Sequence, residues 1–183
     1  AFENTYDVQP VTVPGADFAT YLKSFDHWDV EDSFDIRLNE ENHANPMPEG
    51  SAPGADGMDG KTVQVTEAAN SGNFGDITFD SVGTYTYTIF EVTPSSTVAG
   101  MTYSKASYSA EVTVTDKGDG TLQASTKMLK LSDDNGNGMD PYEEVTSKQA
   151  VFNNSFNAES VDAGPVAAKV YTNNGGPEND LKD

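Results

Sequence analysis

Residues 73–92 read NFGDITFDSVGTYTYTIFEV, and from Thr84 onward the stretch alternates strictly. Tyr85, Tyr87, Ile89 and Glu91 fall on one face; Thr86, Thr88 and Phe90 fall on the other. Alternation with period two, carried by aromatic residues and threonine, predicts a half-buried strand. The Tyr/Ile face is the one expected to be buried, and Glu91 continues it. A carboxylate at the end of an apolar face must be paired, hydrogen-bonded or protonated, because burying it ionised and alone costs too much. What Glu91 meets in the interior is the question the remaining sequence has to answer.

Working outward, DFATYLKSF (17–25) places Ala19, Tyr21, Lys23 and Phe25 on one face and Phe18, Thr20, Leu22 and Ser24 on the other. Both faces carry apolar residues, so either Lys23 points inward or it snorkels to the surface along its apolar stem. After HWDVED (27–32), Phe34, Ile36 and Leu38 alternate with Asp35 and Arg37, and Trp28 reads as a packing anchor. Residues 39–60 are rich in Asn, Glu, Pro and Gly and predict a long loop. Residues 62–66 (TVQVT) form a short strand, and Ile77 and Phe79 precede a turn at 80–83. Residues 107–115 point Tyr108, Ala110, Val112 and Val114 inward; DKGDG (116–120) turns the chain, and 121–131 return as the hairpin partner. In the last strand, 149–156, Ala150, Phe152, Asn154 and Phe156 share a face. Short strands, turn-rich connections and the lack of an amphipathic helical pattern predict an all-β sandwich.

Composition narrows the function. Thirty acidic residues against ten Lys and Arg give a formal net charge of −20, a surface that phosphate backbones and anionic membranes repel. No run has the length and apolarity of a membrane span, and no signal peptide is visible. Cysteine is absent, which removes disulfides, thiol catalysis and Cys-ligated metal alike. His27 and His43 are the only histidines, a thin basis for a catalytic triad or a zinc site. Paired carboxylates of the glycosidase kind are easy to nominate among thirty acids, but no motif singles a pair out.

Three strands each place a polar group on an expected core face: Lys23 early, Glu91 in the middle, Asn154 at the end. A desolvated lysine loses its proton more readily and a desolvated glutamate keeps its own. A neutral amine beside a carboxamide is set up for nucleophilic attack, with a protonated Glu91 hydrogen-bonding the Asn154 carbonyl and moving protons to the departing ammonia. The product is a Lys–Asn isopeptide bond between the first and last strands.

The same residues carry a family resemblance. FGDITFDSVGTYTYTIFEV, GMTYSKASYSAEVTVTDKGDGTL and AVFNNSF together resemble the pilin isopeptide-linkage domain of Gram-positive surface proteins, related to the Ig-like CnaB-type β-sandwich. The match runs from about Asp17 to Phe156. The resemblance implies a sortase-anchored pilin or adhesin shaft, extracellular and attached to the cell wall, whose partners are neighbouring repeats of the polypeptide or pilus. Glu91 matches the acid of Y-T-Y-x-I-x-E and Asn154 the amide of F-x-N-x-aromatic. KSFDHWDVEDSF departs from the family's K-x-L-x-G-R-D-W segment in its spacing and lacks the Gly-Arg, though no other lysine precedes the first core strand.

The F-x-N-x-aromatic pattern also occurs at Phe2, Asn4 and Tyr6, so residues 1–10 read as the end of a preceding repeat or a linker. Residues 11–158 form the isopeptide-linkage domain, and 159–183 a linker and the start of a following repeat. In that last segment VAAKVY offers Lys169 as the lysine of the next unit. With no initiator Met, the chain reads as a piece of a longer polypeptide.

One loop carries a second pattern. In DDNGNGMDPYEE (133–144), Asp133, Asn135, Asn137, Gly138 and Glu144 occupy positions 1, 3, 5, 6 and 12 of an EF-hand loop, with the Met139 carbonyl at position 7. Calcium is therefore a possible ion here, although the cross-link itself requires no cofactor. Asp140 and Pro141 fit the pattern poorly, and Asn-Gly repeats are also ordinary hairpin-turn chemistry, so both readings stay open. An alternative function is a ligand-binding adhesin domain that contacts a host surface molecule through loop 39–60 or loop 133–144.

Overall fold

The period-two face of residues 83–92 becomes the middle strand of a seven-stranded sheet. The structure, a computed structural model, describes residues 8–158 apart from Asp32. In chain order the elements are β1 (Val11–Val13), α1 (Gly15–Phe18), β2 (Thr20–Ser24), β3 (Ser33–Glu40), β4 (Ala52–Pro53), β5 (Asp59–Thr66), β6 (Ser71–Asn73) and β7 (Ile77–Phe79). There follow β8 (Gly83–Val92), β9 (Met101–Thr102), β10 (Ser107–Asp116), β11 (Leu122–Ser132), β12 (Gly138–Glu144), β13 (Gln149–Asn153) and β14 (Ser155–Phe156).

The large sheet has the order β12-β11-β10-β8-β3-β5-β4, all antiparallel. A smaller sheet, β13-β2-β6, contains a parallel pair, β13 with β2. Two-stranded ribbons, β1-β7 and β14-β9, complete the all-β sandwich. Its core joins Ile36, Leu38, Tyr87, Ile89, Tyr108, Ala110 and Val112 of the large sheet to Tyr21, Ala150 and Phe152 of the small one. Edge-to-face ring pairs span the layers: Tyr108 meets Phe152 at 5.6 Å, and Phe18 meets Tyr87 at 5.2 Å. Trp28 packs edge-on against Phe25 and Phe34, as a packing anchor does.

Three expectations change. Residues 17–25 are not one strand: α1 is a single helical turn that follows Pro14, whose carbonyl accepts the Asp17 and Phe18 N–H groups. That turn buries Phe18, so the alternation serves only β2. Residues 39–60 are not all loop, because β3 runs through Glu40 and the chain returns as β4 and the start of β5. Arg37 organises this return, donating from Nη1 to Thr62 Oγ1 and from Nη2 to the carbonyls of Ala52 and Met58. Finally, β1 precedes the strand of Lys23 and β14 follows Asn154, so neither residue lies on the terminal strand. The expected repeat segments, 1–6 with Asn4 and 166–171 with Lys169, lie outside the described residues.

Candidate functional site

Alternation on three strands points three polar side chains at one place. On β2 the buried positions are Tyr21 and Lys23; on β13 they are Ala150 and Phe152, with Asn154 next in phase; on β8 they are Tyr87, Ile89 and Glu91. The parallel register sets Lys23 opposite Phe152, and the Asn154 N–H donates to the Ser24 carbonyl, so Asn154 lies one step diagonal from the lysine. A side chain must be long to cross that diagonal, and lysine is. Glu91 arrives from the facing sheet, where it pairs with Ile36 of β3. A slip of one residue in any of these registers would turn the side chain out to solvent.

The three meet in the interior. Lys23 is 0% exposed, Glu91 5% and Asn154 7%. Lys23 Nζ makes a short hydrogen bond to Glu91 Oε2, while Asn154 Nδ2 donates to Glu91 Oε1 at 2.7 Å. One carboxyl therefore spans two nitrogens, an amine and an amide. The Asn154 Oδ1 accepts from the Ser104 backbone N–H at 2.7 Å. Because that N–H can only donate, it fixes which end of the carboxamide is oxygen and which is nitrogen. This corrects the expected contact: Glu91 touches the amide nitrogen of Asn154, not its carbonyl oxygen.

Burial pushes the Lys23 amine below its ordinary value, against the opposing pull of Glu91. Burial likewise pushes the Glu91 carboxyl above its ordinary value, against Lys23 and Asn154, which draw it down. Both directions favour a neutral amine beside a neutral acid, a form with the same number of protons as the ion pair. The Phe34 ring, 4.3 Å from Nζ, walls the pocket on the β3 side. No buried polar side-chain atom among the described residues is without a partner.

Sequence reasoning missed Phe34, Ser104 and Asp134. Asp134 Oδ1 accepts from Ser104 Oγ at 2.5 Å and from the Asn153 N–H at 2.9 Å, and its Oδ2 accepts from Asn153 Nδ2 at 2.8 Å. Burial pushes this carboxyl up, but the hydrogen bonds from Ser104 and Asn153 outweigh it and hold the group below the usual aspartate value. Asp134 is the immediate neighbour of the residue that heads the calcium pattern, and nothing in the pattern marks it.

The calcium-pattern residues take another arrangement. Asp133 Oδ1 accepts from the Asn135 and Asn137 N–H groups and its Oδ2 from Asn137 Nδ2, which closes the β11–β12 turn on itself. Met139 and Glu144 belong to β12, with Glu144 opposite Leu129 and Gly138 opposite Ser132. Among the described residues, no group of three or more His, Cys, Asp or Glu side chains is placed to hold a metal ion.

The family model described as "Spy0128-like isopeptide containing domain" (FctA) matches residues 19–157. Solved structures similar to the chain include the major pilin from Streptococcus pyogenes, at 16% identity and a TM-score of 0.40, covering 82% of this chain and 51% of that one. They also include the major pilin protein T-13 of the same organism, at 17% identity and a TM-score of 0.41, covering 79% and 53%. A third is its T3.2 major pilin protein, at 17% identity and a TM-score of 0.40, covering 79% and 54%. The chain thus spans 51% to 54% of the length of these pilins. No curated protein matches.

Proposed function

This chain belongs to the family of Spy0128-like isopeptide containing domains, and we propose that it is a shaft module of a Gram-positive surface pilus or fibrous adhesin, held by a self-made Lys23–Asn154 amide bond. The observation that carries the reading is the Glu91 carboxyl, bridging the attacking and the departing nitrogen among buried side chains. The neutral Lys23 amine attacks Asn154 Cγ and forms the new C–N bond. Glu91 takes the surplus amine proton on Oε2 and delivers one from Oε1 to Nδ2. The Cγ–Nδ2 bond then breaks, and ammonia leaves. One amine, one amide and one acid become one secondary amide, one ammonia and the same acid, so the domain turns over once and is not an enzyme.

The bond would close a loop over nearly the whole domain, joining the two parallel strands β2 and β13 near their ends. Force applied between the chain termini would then meet a covalent strap, with no need for cysteine. This fits a module placed outside the cell, attached to the wall, and in contact with neighbouring repeats or subunits.

Intact mass tests the proposal. The folded chain should be lighter than its sequence by one ammonia, and a tryptic digest should contain a branched peptide joining Lys23 to Asn154. Lys23→Ala, Glu91→Ala and Asn154→Ala variants should keep the full sequence mass. A folded wild-type chain at full mass would remove this reading.

A further inference from the structure

Glu91 is on the wrong side of the amide to stabilise the oxygen that becomes negative during attack. As the Lys23 nitrogen adds to Cγ, the carbonyl π electrons move onto Asn154 Oδ1, in surroundings where an unpaired charge is expensive. The group in contact with that oxygen is the backbone N–H of Ser104, at 2.7 Å. We propose that the Ser104 N–H is the oxyanion donor of the Lys23–Asn154 condensation, and that Asp134 is the positioning residue that holds it against Oδ1. The inference rests on the cross-linking reading and assigns two residues to the reaction that its lysine, acid and asparagine leave out.

Ser104 lies between β9 and β10, so its N–H is not committed to a sheet ladder and is free to point at a side chain. Its residue is 2% exposed. What holds this short segment is mainly Asp134. The Ser104 hydroxyl donates to Asp134 Oδ1, the Lys105 N–H donates to the Asp134 carbonyl at 3.0 Å, and the Ala106 N–H donates back to Ser104 Oγ at 3.2 Å. The same Asp134 carboxylate grips Asn153, the residue before the reacting asparagine, through its N–H and its side-chain amide. One side chain therefore ties the donor segment and the acceptor segment to a common point.

A single N–H then does two jobs. It receives the developing charge on Oδ1, and by fixing the carboxamide's orientation it turns Nδ2 toward Glu91, where the leaving nitrogen has to collect its proton. The negative charge of Asp134 is itself no help to a nearby oxyanion. Its contribution is geometry, and a neutral side chain with the same acceptor oxygen should serve.

The test follows bond formation by intact mass in newly synthesised full-length chain, sampled at intervals after cell-free translation. Replacing Ser104 by its α-hydroxy-acid analogue puts an ester where the N–H was and keeps the side chain; the condensation should slow about 100-fold. Asp134→Ala should slow it roughly tenfold or more through misplacement of the donor. Asp134→Asn, with Asn153 turning its exposed amide to suit, should restore most of the rate lost in Asp134→Ala. An ester variant that folds, by near-ultraviolet circular dichroism, and condenses at the wild-type rate overturns the oxyanion role. If the ester prevents folding, Asp134→Ala decides, and a wild-type rate there overturns the proposal. Asn and Ala variants that are equally slow overturn the positional role of Asp134. A wild-type chain that never loses ammonia refutes the cross-link itself, whereas loss at a rate indifferent to these changes refutes only this inference.

Discussion

Lys23 stands opposite Phe152 across a parallel ladder, which places its amine one diagonal step from the Asn154 side chain. Parallel neighbours run in the same direction, so the lysine stem leaning along β2 travels toward Asn154 rather than away from it. Glu91 and Phe34 close the pocket from the facing sheet. The consequences can be measured.

Removing the bond should cost the fold a large part of its resistance to heat. A link between Lys23 and Asn154 would restrain a loop of nearly the whole domain, which the loop-entropy rule values at about 5 kcal/mol. Lys23→Met leaves the core filled and apolar, and leaves Glu91 free to stay protonated. Scanning calorimetry should place its Tm on the order of 10–20 °C below wild type. Equal melting temperatures would mean that the link contributes nothing to stability.

The rate of condensation should be bell-shaped in pH. The reactive form holds one exchangeable proton between Lys23 and Glu91. In acid both are protonated and the amine has no lone pair; in strong base neither is, and nothing is left to protonate the leaving nitrogen. Burial lowers the lysine below its ordinary value and raises the glutamate above its own, which populates the neutral pair across the range between the two limbs. The two limbs belong to the coupled pair rather than to either residue. Mass time courses across that range would show the maximum, and a rate rising steadily to the alkaline end would contradict the shared-proton mechanism.

Phe34 should be costly to truncate. It is buried, packs edge-on against Phe25, Trp28 and Tyr103, and forms the wall beside Lys23 Nζ. Phe34→Ala should destabilise by about 3–5 kcal/mol, with Phe34→Leu losing distinctly less. Denaturant unfolding in the cross-link-free Lys23→Met background keeps the comparison reversible; a loss below about 1 kcal/mol for the alanine variant would show the pocket wall collapsing to fill the space.

Loop 133–144 should not bind calcium tightly. Both Asp133 oxygens accept hydrogen bonds from their own turn, and Glu144 sits opposite Leu129 rather than at the turn. An ion would compete with those donors for the same carboxylate. Calorimetric titration should show no saturation below about 1 mM calcium, the weak end of natural loop affinities. Saturation in the micromolar range, lost in Asp133→Ala, would reverse this view.

The inward phase of Lys23, Glu91 and Asn154 was legible in the amino-acid sequence, because period-two alternation assigns a face to each residue regardless of what lies across from it. Glu91 was the clearest, at the end of an unbroken Tyr/Ile face. Lys23 was the least clear, because α1 interrupts the strand pattern just before it and both faces of 17–25 carry apolar residues. Which oxygen of Glu91 meets which nitrogen, and that the Asn154 carbonyl turns to Ser104, depended on the registers of β2 with β13 and of β3 with β8, which no single strand encodes. Ser104 acts through a backbone N–H, a group almost every residue carries, so no letter in the sequence could mark it. Asp133 and Asp134 are the same residue type side by side; only the path of the chain through the β11–β12 turn sent one into its own loop and the other to Ser104 and Asn153.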